Sequence, residues 1–200
     1  MGKTENRHIV IFVEGDTDKI FFDALISYYR QNSTSINSCE IQNLRGVSRY
    51  TSKIIGKLEN QICPIATKKG LSVEAVCCSY DTDIFEFSEQ PAVDWVKVRR
   101  EVKRIGINRF CEIQVQSMME DWLLEDLDGL CSYLKMDKPN SLPGKNGYEK
   151  IQKLFRKANR LYLKGTSIEK FIKNLNIRTI RDKRINALVE LEKLLNVHIK

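Results

Sequence analysis

The sequence predicts an α/β fold of about four mainly parallel strands flanked by helices, with a C-terminal helical extension. Short apolar runs recur along the 200-residue chain, and stretches with helical periodicity follow them. Strands that alternate with helices of this length are typical of βαβ units and a parallel sheet. We place the four strands at residues 9–13, 38–44, 72–80 and 111–116.

The first strand leads into a helix that we predict at residues 17–29. Thr17 is a residue type that caps helix N-termini, so it is placed as the N-cap. Four apolar side chains then follow at the spacing of one helix face: Phe21, Ala24, Leu25 and Tyr28.

Three further helices belong to this α/β part of the chain. One is predicted at residues 48–62. Pro91 suits the first position of a second helix, which ends at Arg104. Ser117 is placed as the cap of a third helix that reaches about Leu134 and carries the stripe Met119, Leu123, Leu127, Leu130 and Leu134.

The remainder of the chain is predicted to be helical and basic. Residues 138–147 contain two prolines and two glycines and are interpreted as a loop or linker. Helices are predicted after it at residues 148–163, 167–175 and 179–196. We therefore divide the chain into a catalytic domain at residues 1–137 and a helical extension at residues 138–200.

Charge is distributed unevenly between these two parts. Residues 1–137 carry 17 basic and 21 acidic side chains, a net charge of −4, and residues 138–200 carry 16 and 5, a net charge of +11. An acidic part beside a strongly basic part suits a metal site next to a surface that binds a polyanion. A solvated basic helical face is the alternative interpretation.

Composition narrows the cellular setting. No apolar run approaches the ~20 residues that span a bilayer, and the first seven residues are polar. We expect a cytoplasmic protein without a membrane partner. The six cysteines form no Cys-x-x-Cys pair, which disfavours zinc and a disulfide framework.

Glu14 directly follows the first apolar strand, and Gly15, Asp16, Thr17 and Asp18 come next. A carboxylate at the carboxyl end of a buried strand lies where open α/β sheets bind ligands. We interpret Glu14 as a general base or metal ligand. In the alternative interpretation the acids only favour the helix N-terminus electrostatically.

Asp81 and Asp83 follow the third strand. Residues two apart on an extended segment point to the same side, so both can reach one cation. Mg²⁺ prefers one or two carboxylates together with water and substrate phosphate oxygens. These aspartates are the predicted metal ligands, with Mg²⁺ or Mn²⁺ as the cofactor, and Glu86 is a weaker candidate.

Glu120 is predicted to complete this site. It lies in the first turn of the helix at 117–134 and leans towards the sheet edge, whereas Asp121, Glu125 and Asp128 point to the opposite side. Asp126 also leans inward, but nearly two turns further along. The alternative is that Glu120 only interacts with the helix dipole.

Some kinds of chemistry are disfavoured. The two histidines lie near opposite ends of the chain, which makes a histidine-based triad improbable. There is no Walker A sequence and no Gly-x-Gly-x-x-Gly after a strand. The sequence therefore argues against ATP hydrolysis and dinucleotide redox chemistry.

With these residues in place, the chain resembles the Toprim domain of topoisomerases, bacterial primases and OLD-family nucleases. The resemblance rests on residues 9–18, which end in Glu-Gly-Asp-Thr-Asp, and on Asp81-Thr82-Asp83. Residues 118–126 resemble the acidic helix start of small stand-alone Toprim proteins of bacterial defence systems. The resemblance covers about residues 8–135.

The resemblance implies a Mg²⁺-dependent nuclease of anti-phage defence. It implies that the glutamate acts as general base or acid and that the aspartates hold the metal ion. OLD nucleases carry a fused ATPase that this chain lacks, so a separate ATPase partner remains open. The alternatives are another Toprim phosphotransfer activity and a non-catalytic binding or regulatory subunit. A homo-oligomer is also left open.

Nucleic acid is the expected partner of the basic extension. Lys153, Arg156, Lys157 and Arg160 have spacings that predict one helix face, and they are the candidate phosphate contacts. Ile151, Leu154, Phe155 and Leu161 are predicted to pack on the opposite side.

Overall fold

A computed structural model describes residues 6–83, 93–165 and 168–199. Within these residues, four strands form one parallel sheet in the order β2-β1-β3-β4. The strands are β1 (Arg7–Val13), β2 (Ser38–Asn43), β3 (Ser72–Asp81) and β4 (Arg109–Val115). The predicted α/β class and the parallel sheet are confirmed.

The central strands are buried on both faces of the sheet. Successive residues of a strand point to opposite faces, so Ile9, Ile11 and Val13 of β1 enter one core. Val10 and Phe12 enter the other core. Burial on both faces explains why β1 and β3 are nearly continuous apolar runs.

One face of the sheet is covered by the helices that connect β2 to β3 and β3 to β4. They are α2 (Arg49–Lys57), α3 (Cys63–Lys68) and α4 (Trp95–Arg104), and a π-helical turn at Leu58–Ile62 joins α2 to α3. The helical segment predicted at 48–62 therefore extends to Lys68, and its middle part is π-helical. Helix α4 begins after Asp94, whose side chain accepts a hydrogen bond from the Lys97 backbone N–H at 2.9 Å. Pro91 lies outside the described residues.

The other face is covered by α1 (Asp16–Asn32) and by helices from the last part of the chain. In order these are α5 (Met119–Leu123), α6 (Leu127–Leu134), α7 (Gly147–Lys157), α8 (Glu169–Ile172), α9 (Ile177–Lys183) and α10 (Ile185–Leu195). Ile151, Phe171 and Leu188 belong to the same buried cluster as Ile9 and Ile11 of β1. The C-terminal helices thus pack in the core of this face.

Helix α1 differs from its prediction in its cap and in its buried stripe. Gly15 is the N-cap, and Thr17 lies within the helix and is buried. Packing against both the sheet and the C-terminal helices widens the buried face. It comprises Phe21, Phe22, Leu25, Ile26 and Tyr29, whereas Ala24 and Tyr28 are only partly buried.

The predicted helix at 117–134 is interrupted. Met118, not Ser117, is the N-cap of α5, and Ser117 adopts a φ of +64°. A 3-10 turn at Leu124–Asp126 separates α5 from α6. Asp126 starts α6, because its carboxylate accepts a hydrogen bond from Gly129 N at 3.2 Å, and it also accepts one from Asn176 N at 2.6 Å.

The predicted C-terminal helices are shorter than expected. Helix α7 ends at Lys157, and Asn159 follows with a φ of +56°. Leu161, predicted to pack, is 75% exposed, because the chain has left the helix before it. The predicted helix at 167–175 is α8, with Ser167 outside the described residues, and the one at 179–196 is divided into α9 and α10. In the described part of the chain, no helix is both long enough and apolar enough to cross a membrane.

Candidate active site

The strand order places a crevice beyond the carboxyl ends of β1 and β3. Helix α1 leaves β1 on one face of the sheet, whereas α2 to α4 cover the opposite face. The order of strands therefore reverses between the neighbours β1 and β3. Ligands of open α/β sheets bind at such a switch point.

Glu14 and Asp81 are brought together at this point. Glu14 follows β1 directly, and Asp81 is the last residue of β3. The Glu14 Oε1 accepts a hydrogen bond from the Asp81 backbone N–H at 3.0 Å. In turn, Asp81 Oδ1 accepts one from the Met119 backbone N–H, also at 3.0 Å. Two strand ends and the start of α5 are thereby tied together.

Glu120 joins the same site from α5 and is 1% exposed. Its Oε1 accepts a hydrogen bond from the Tyr162 hydroxyl at 3.0 Å and lies 3.2 Å from the Lys164 Nζ. Its Oε2 is buried and has no hydrogen-bond partner within the described residues. The predicted inward placement of Glu120 agrees with this position.

Asp18 also belongs to the site. From the sequence it had been assigned only an electrostatic role at the helix N-terminus. It is 6% exposed, and its Oδ1 is buried without a hydrogen-bond partner in the described part of the chain. A pattern in the sequence could have revealed it. Asp18 precedes Phe21, Phe22 and Leu25 by three, four and seven residues, which places it on the buried face of α1.

These side chains line one cavity of about 260 Å³. Lys164 contributes an ammonium group to its wall. No local sequence pattern pointed to Tyr162 or Lys164, because both come from the segment after α7. The lining residues are Glu14, Gly15, Asp16, Thr17, Asp18, Asp81, Met119, Glu120, Lys164 and Gly165.

The other acidic candidates lie in different places. Asp83 does not line the cavity, but its charge contributes to raising the pKa of both Glu14 and Asp81. Asp126 holds the start of α6, as described above. Glu86 lies outside the described residues.

The crowding of carboxylates changes their proton affinity. Burial, with a contribution from the Asp18 charge, raises the pKa of Glu14 to about 7. Burial also raises the pKa of Asp18 to about 7, and the charge of Glu120 adds to this effect. Burial together with the charges of Asp18 and Glu14 raises the pKa of Asp81 to about 9. Each of these carboxyls retains protons at a higher pH than a solvated carboxyl does.

Lys164 supplies positive charge to this cluster. Burial lowers the pKa of its ammonium, but the carboxylates of Glu120, Asp81 and Asp18 together outweigh that effect, and the pKa is raised overall. Burial and the Glu120 charge also raise the pKa of the Tyr162 hydroxyl, so it remains a hydrogen-bond donor. Lys164 and Tyr162 therefore hold Glu120 from the same side.

The side chains of the cavity resemble a divalent-cation site in kind but are not yet arranged as one. Among residues 6–83, 93–165 and 168–199, no three histidine, cysteine, aspartate or glutamate side chains already converge closely enough to hold a metal ion. In kind, the donors fit a hard cation, because the titratable side chains other than Lys164 are carboxylates. Asp18 and Glu120 each have a buried carboxylate oxygen with no hydrogen-bond partner among the described residues, and such oxygens suit coordination of a hard cation.

The predicted phosphate contacts do not share one helix. Lys153, Arg156 and Lys157 belong to α7 and are exposed. Arg160 lies beyond the helix end, where its guanidinium donates to the Tyr133 carbonyl at 3.2 Å and lies 5.1 Å from the centre of the Tyr133 ring. The predicted common helix face is therefore wrong for Arg160, because α7 ends three residues before it.

Comparison with known protein families, with curated proteins and with solved structures found no match to this chain.

Proposed function

We propose that this protein is a divalent-metal-dependent nuclease that cleaves phosphodiester bonds in nucleic acid. The observation that carries the proposal is the meeting of Glu14, Asp81 and Glu120 at the carboxyl edge of the sheet, around one cavity at the switch point. Asp18 adds a fourth carboxylate. Such a concentration of acids is electrostatically costly without a cation and suits metal-assisted phosphoryl chemistry.

The carboxylates divide into ligands and a base. Asp81 and Asp18 would hold Mg²⁺ or Mn²⁺, with Asp83 close enough to add to the negative field. A bound cation of this kind polarises a phosphoryl oxygen and lowers the pKa of bound water. Glu14, with a pKa of about 7, is suited to accept a proton near neutral pH, either as the base or as a further ligand.

Glu120 and Lys164 would line the part of the cavity that receives the substrate. The Lys164 ammonium lies against Glu120 in the protein alone and is positioned to attract a phosphate oxygen. Arg156 and Lys157 would contact phosphates further along the nucleic acid without reading its sequence. The resemblance to defence-associated Toprim proteins adds the proposed setting, anti-phage defence, with any ATPase supplied by a separate chain.

Cleavage and metal binding test this proposal together. Plasmid DNA, single-stranded DNA and RNA are incubated with the protein and Mg²⁺ or Mn²⁺, and Mn²⁺ binding is measured directly by calorimetry. Glu14→Gln and Asp81→Asn each remove a charge with little change in volume. We expect both to reduce cleavage by about 100-fold or more. We expect Asp81→Asn and Asp18→Asn to weaken Mn²⁺ binding.

Matched controls lie outside the cavity. Glu59→Gln and Asp128→Asn make the same chemical changes at exposed ion pairs with Arg104 and Lys138. Both should cleave and bind Mn²⁺ as the unaltered protein does. Full activity in EDTA, or unaltered Mn²⁺ binding after both Asp18→Asn and Asp81→Asn, would overturn the proposal.

A further inference from the structure

Lys164 is the one cation among the described residues that line the acidic cavity. Its Nζ lies 3.2 Å from the Glu120 Oε1. The Lys164 side chain is 53% exposed, whereas that of Glu120 is 1% exposed. The ammonium therefore connects a buried carboxylate to the part of the cavity wall that faces solvent.

The charge of this ammonium reaches more than one carboxylate. It opposes the rise in the pKa of both Glu14 and Asp18, although burial has the larger effect on each. The Asp81 carboxylate in turn favours the charged form of Lys164. In the protein without a metal ion, Lys164 thus acts as a counter-ion for the whole cluster.

This counter-ion compensates only part of the cluster. Asp18 and Glu120 each keep a buried oxygen without a hydrogen-bond partner among the described residues. A divalent cation carries twice the charge of an ammonium and accepts several oxygen ligands. Two cations close to the same carboxylate repel each other. Entry of a divalent cation should therefore weaken the contact between Lys164 and Glu120.

The surrounding chain allows the ammonium to change partner. On one side of Lys164, the Tyr162 hydroxyl donates a hydrogen bond to Glu120 at 3.0 Å. On the other side, the Gly165 backbone N–H donates one to the Thr17 hydroxyl at 3.4 Å. Both contacts hold the backbone, whereas a lysine side chain has a flexible four-carbon stem. Lys164 can therefore leave Glu120 while Tyr162 continues to hold the carboxylate.

We propose that Lys164 is an internal counter-ion that competes with the metal ion for Glu120, and that binding of a divalent cation releases it to contact a phosphate of the nucleic acid. The proposal rests on the proposed function and adds an order of binding to it, the metal ion first. Removal of the ammonium should therefore strengthen metal binding. An ion pair with a purely structural role predicts the opposite, because its loss would loosen the site.

Calorimetric titration of Mn²⁺ into the protein without nucleic acid measures this competition. Lys164→Met removes the charge and keeps an unbranched side chain. We expect it to bind Mn²⁺ about tenfold more tightly than the unaltered protein, the effect of one charged contact that no longer has to be broken. Lys164→Arg keeps the charge and should bind Mn²⁺ with nearly unaltered affinity. Lys193→Met, at an exposed pair with Glu190 outside the cavity, should also bind Mn²⁺ as the unaltered protein does.

Nucleic-acid binding in EDTA tests the release of the ammonium without any metal ion. Fluorescence anisotropy uses a labelled single-stranded DNA at low salt. Lys164→Met should bind it within about twofold of Lys193→Met, because Glu120 already engages the ammonium. Glu120→Gln keeps the shape of the side chain but frees the ammonium, and it should tighten binding about fivefold. Adding Lys164→Met to Glu120→Gln should remove that gain.

The outcomes separate this proposal from the proposed function. Mn²⁺ binding that is unaltered or weaker in Lys164→Met would overturn the exchange and leave the nuclease proposal standing. The exchange would also be overturned if Lys164→Met in EDTA lowered nucleic-acid affinity as much alone as in combination with Glu120→Gln, because the ammonium would then be free without a metal ion. If neither the unaltered protein nor Lys164→Met binds Mn²⁺, the proposed function fails as well.

Discussion

At the scale of single residues, the carboxylates of the cavity are held by few donors. The Asp81 backbone N–H donates a hydrogen bond to Glu14, and the Met119 backbone N–H donates one to Asp81. Tyr162 and Lys164 both contact the same oxygen of Glu120. Buried oxygens of Asp18 and Glu120 receive none from the described residues. A site that is undersupplied with donors and rich in negative charge gains most when a cation enters.

The raised pKa values of this cluster predict how stability depends on pH. Carboxyls with a pKa near 4 in the unfolded chain and of about 7 to 9 in the folded protein bind more protons when folded. Their contribution is therefore fully present below about pH 4 and is lost as the pH rises through about 7 to 9. In EDTA, we expect Glu14→Gln to raise the melting temperature at pH 8.5 by a few degrees and to change it little at pH 4.5.

Thermal unfolding followed by circular dichroism at the two pH values measures this difference. Adding Mg²⁺ at pH 8.5 should stabilise the unaltered protein more than Glu14→Gln. Glu59→Gln serves as the control, because its carboxylate lies at an exposed pair outside the cavity. A destabilising effect of Glu14→Gln at pH 8.5 in EDTA would contradict the electrostatic account.

At the scale of elements, the short helix α5 contributes both to the acidic cavity and to the core. Its first backbone N–H fixes Asp81, and its next residue, Glu120, enters the acidic cavity. Trp122, two residues later, packs edge-on against Phe21 of α1, with the ring centres 5.8 Å apart. A single turn of helix thus connects the acidic cavity to the core.

Helix α7 is the element that we expect to contact phosphates. Arg156 and Lys157 are exposed near its end, whereas Lys153 is paired with Glu149 at 4.0 Å. Arg156→Glu with Lys157→Glu should weaken nucleic-acid binding at low salt and reduce the log–log salt slope on duplex DNA by about 2. Fluorescence anisotropy over a salt series measures both effects.

The controls separate charge from packing. Lys68→Glu with Lys69→Glu makes the same charge change at the end of α3, and it should leave the slope nearly unchanged. Arg160→Glu should instead lower thermal stability, because the guanidinium packs on the Tyr133 ring. An unchanged slope in the α7 double variant would assign that surface to another partner or to solubility.

At the scale of the whole molecule, the basic extension is also part of the core. Ile151, Leu154, Phe155, Phe171 and Leu188 are buried in one cluster with the side chains of β1, β3 and β4. The extension also supplies Tyr162 and Lys164 to Glu120. The two sequence-defined parts are therefore bound by a shared core and a shared site.

This sharing predicts that residues 1–137 alone do not fold cooperatively. Removing residues 138–200 exposes apolar side chains of the shared core and removes the Tyr162 and Lys164 donors of Glu120. Circular dichroism and thermal unfolding of the fragment should show no cooperative transition. In the full chain, Leu188→Ala, at a fully buried position, should lower the free energy of unfolding by about 2–5 kcal/mol and retain a cooperative transition. A fragment that unfolds cooperatively near the temperature of the full chain would disprove this dependence.

The sequence by itself determined the sheet and three of the carboxylates of the acidic site. Alternating apolar runs and helical stretches were enough for the four parallel strands. Glu14 and Asp81 were identifiable because each lies at the carboxyl end of a strand, and the carboxyl ends of parallel strands meet at one edge. Glu120 was identifiable because it lies on the inward side of the first turn of the helix that follows β4. Local periodicity and chain direction carry this information.

Only the tertiary structure decided where helices break and which distant residues complete the site. Asp126 interrupts the predicted long helix because it also binds the backbone of Asn176, 50 residues away. Tyr162 reaches Glu120 across 42 residues. Asp18 and Thr17 are buried because the C-terminal helices and Gly165 cover the start of α1. Contacts between residues far apart in the chain arise from packing, and the periodicity of a single segment does not encode them.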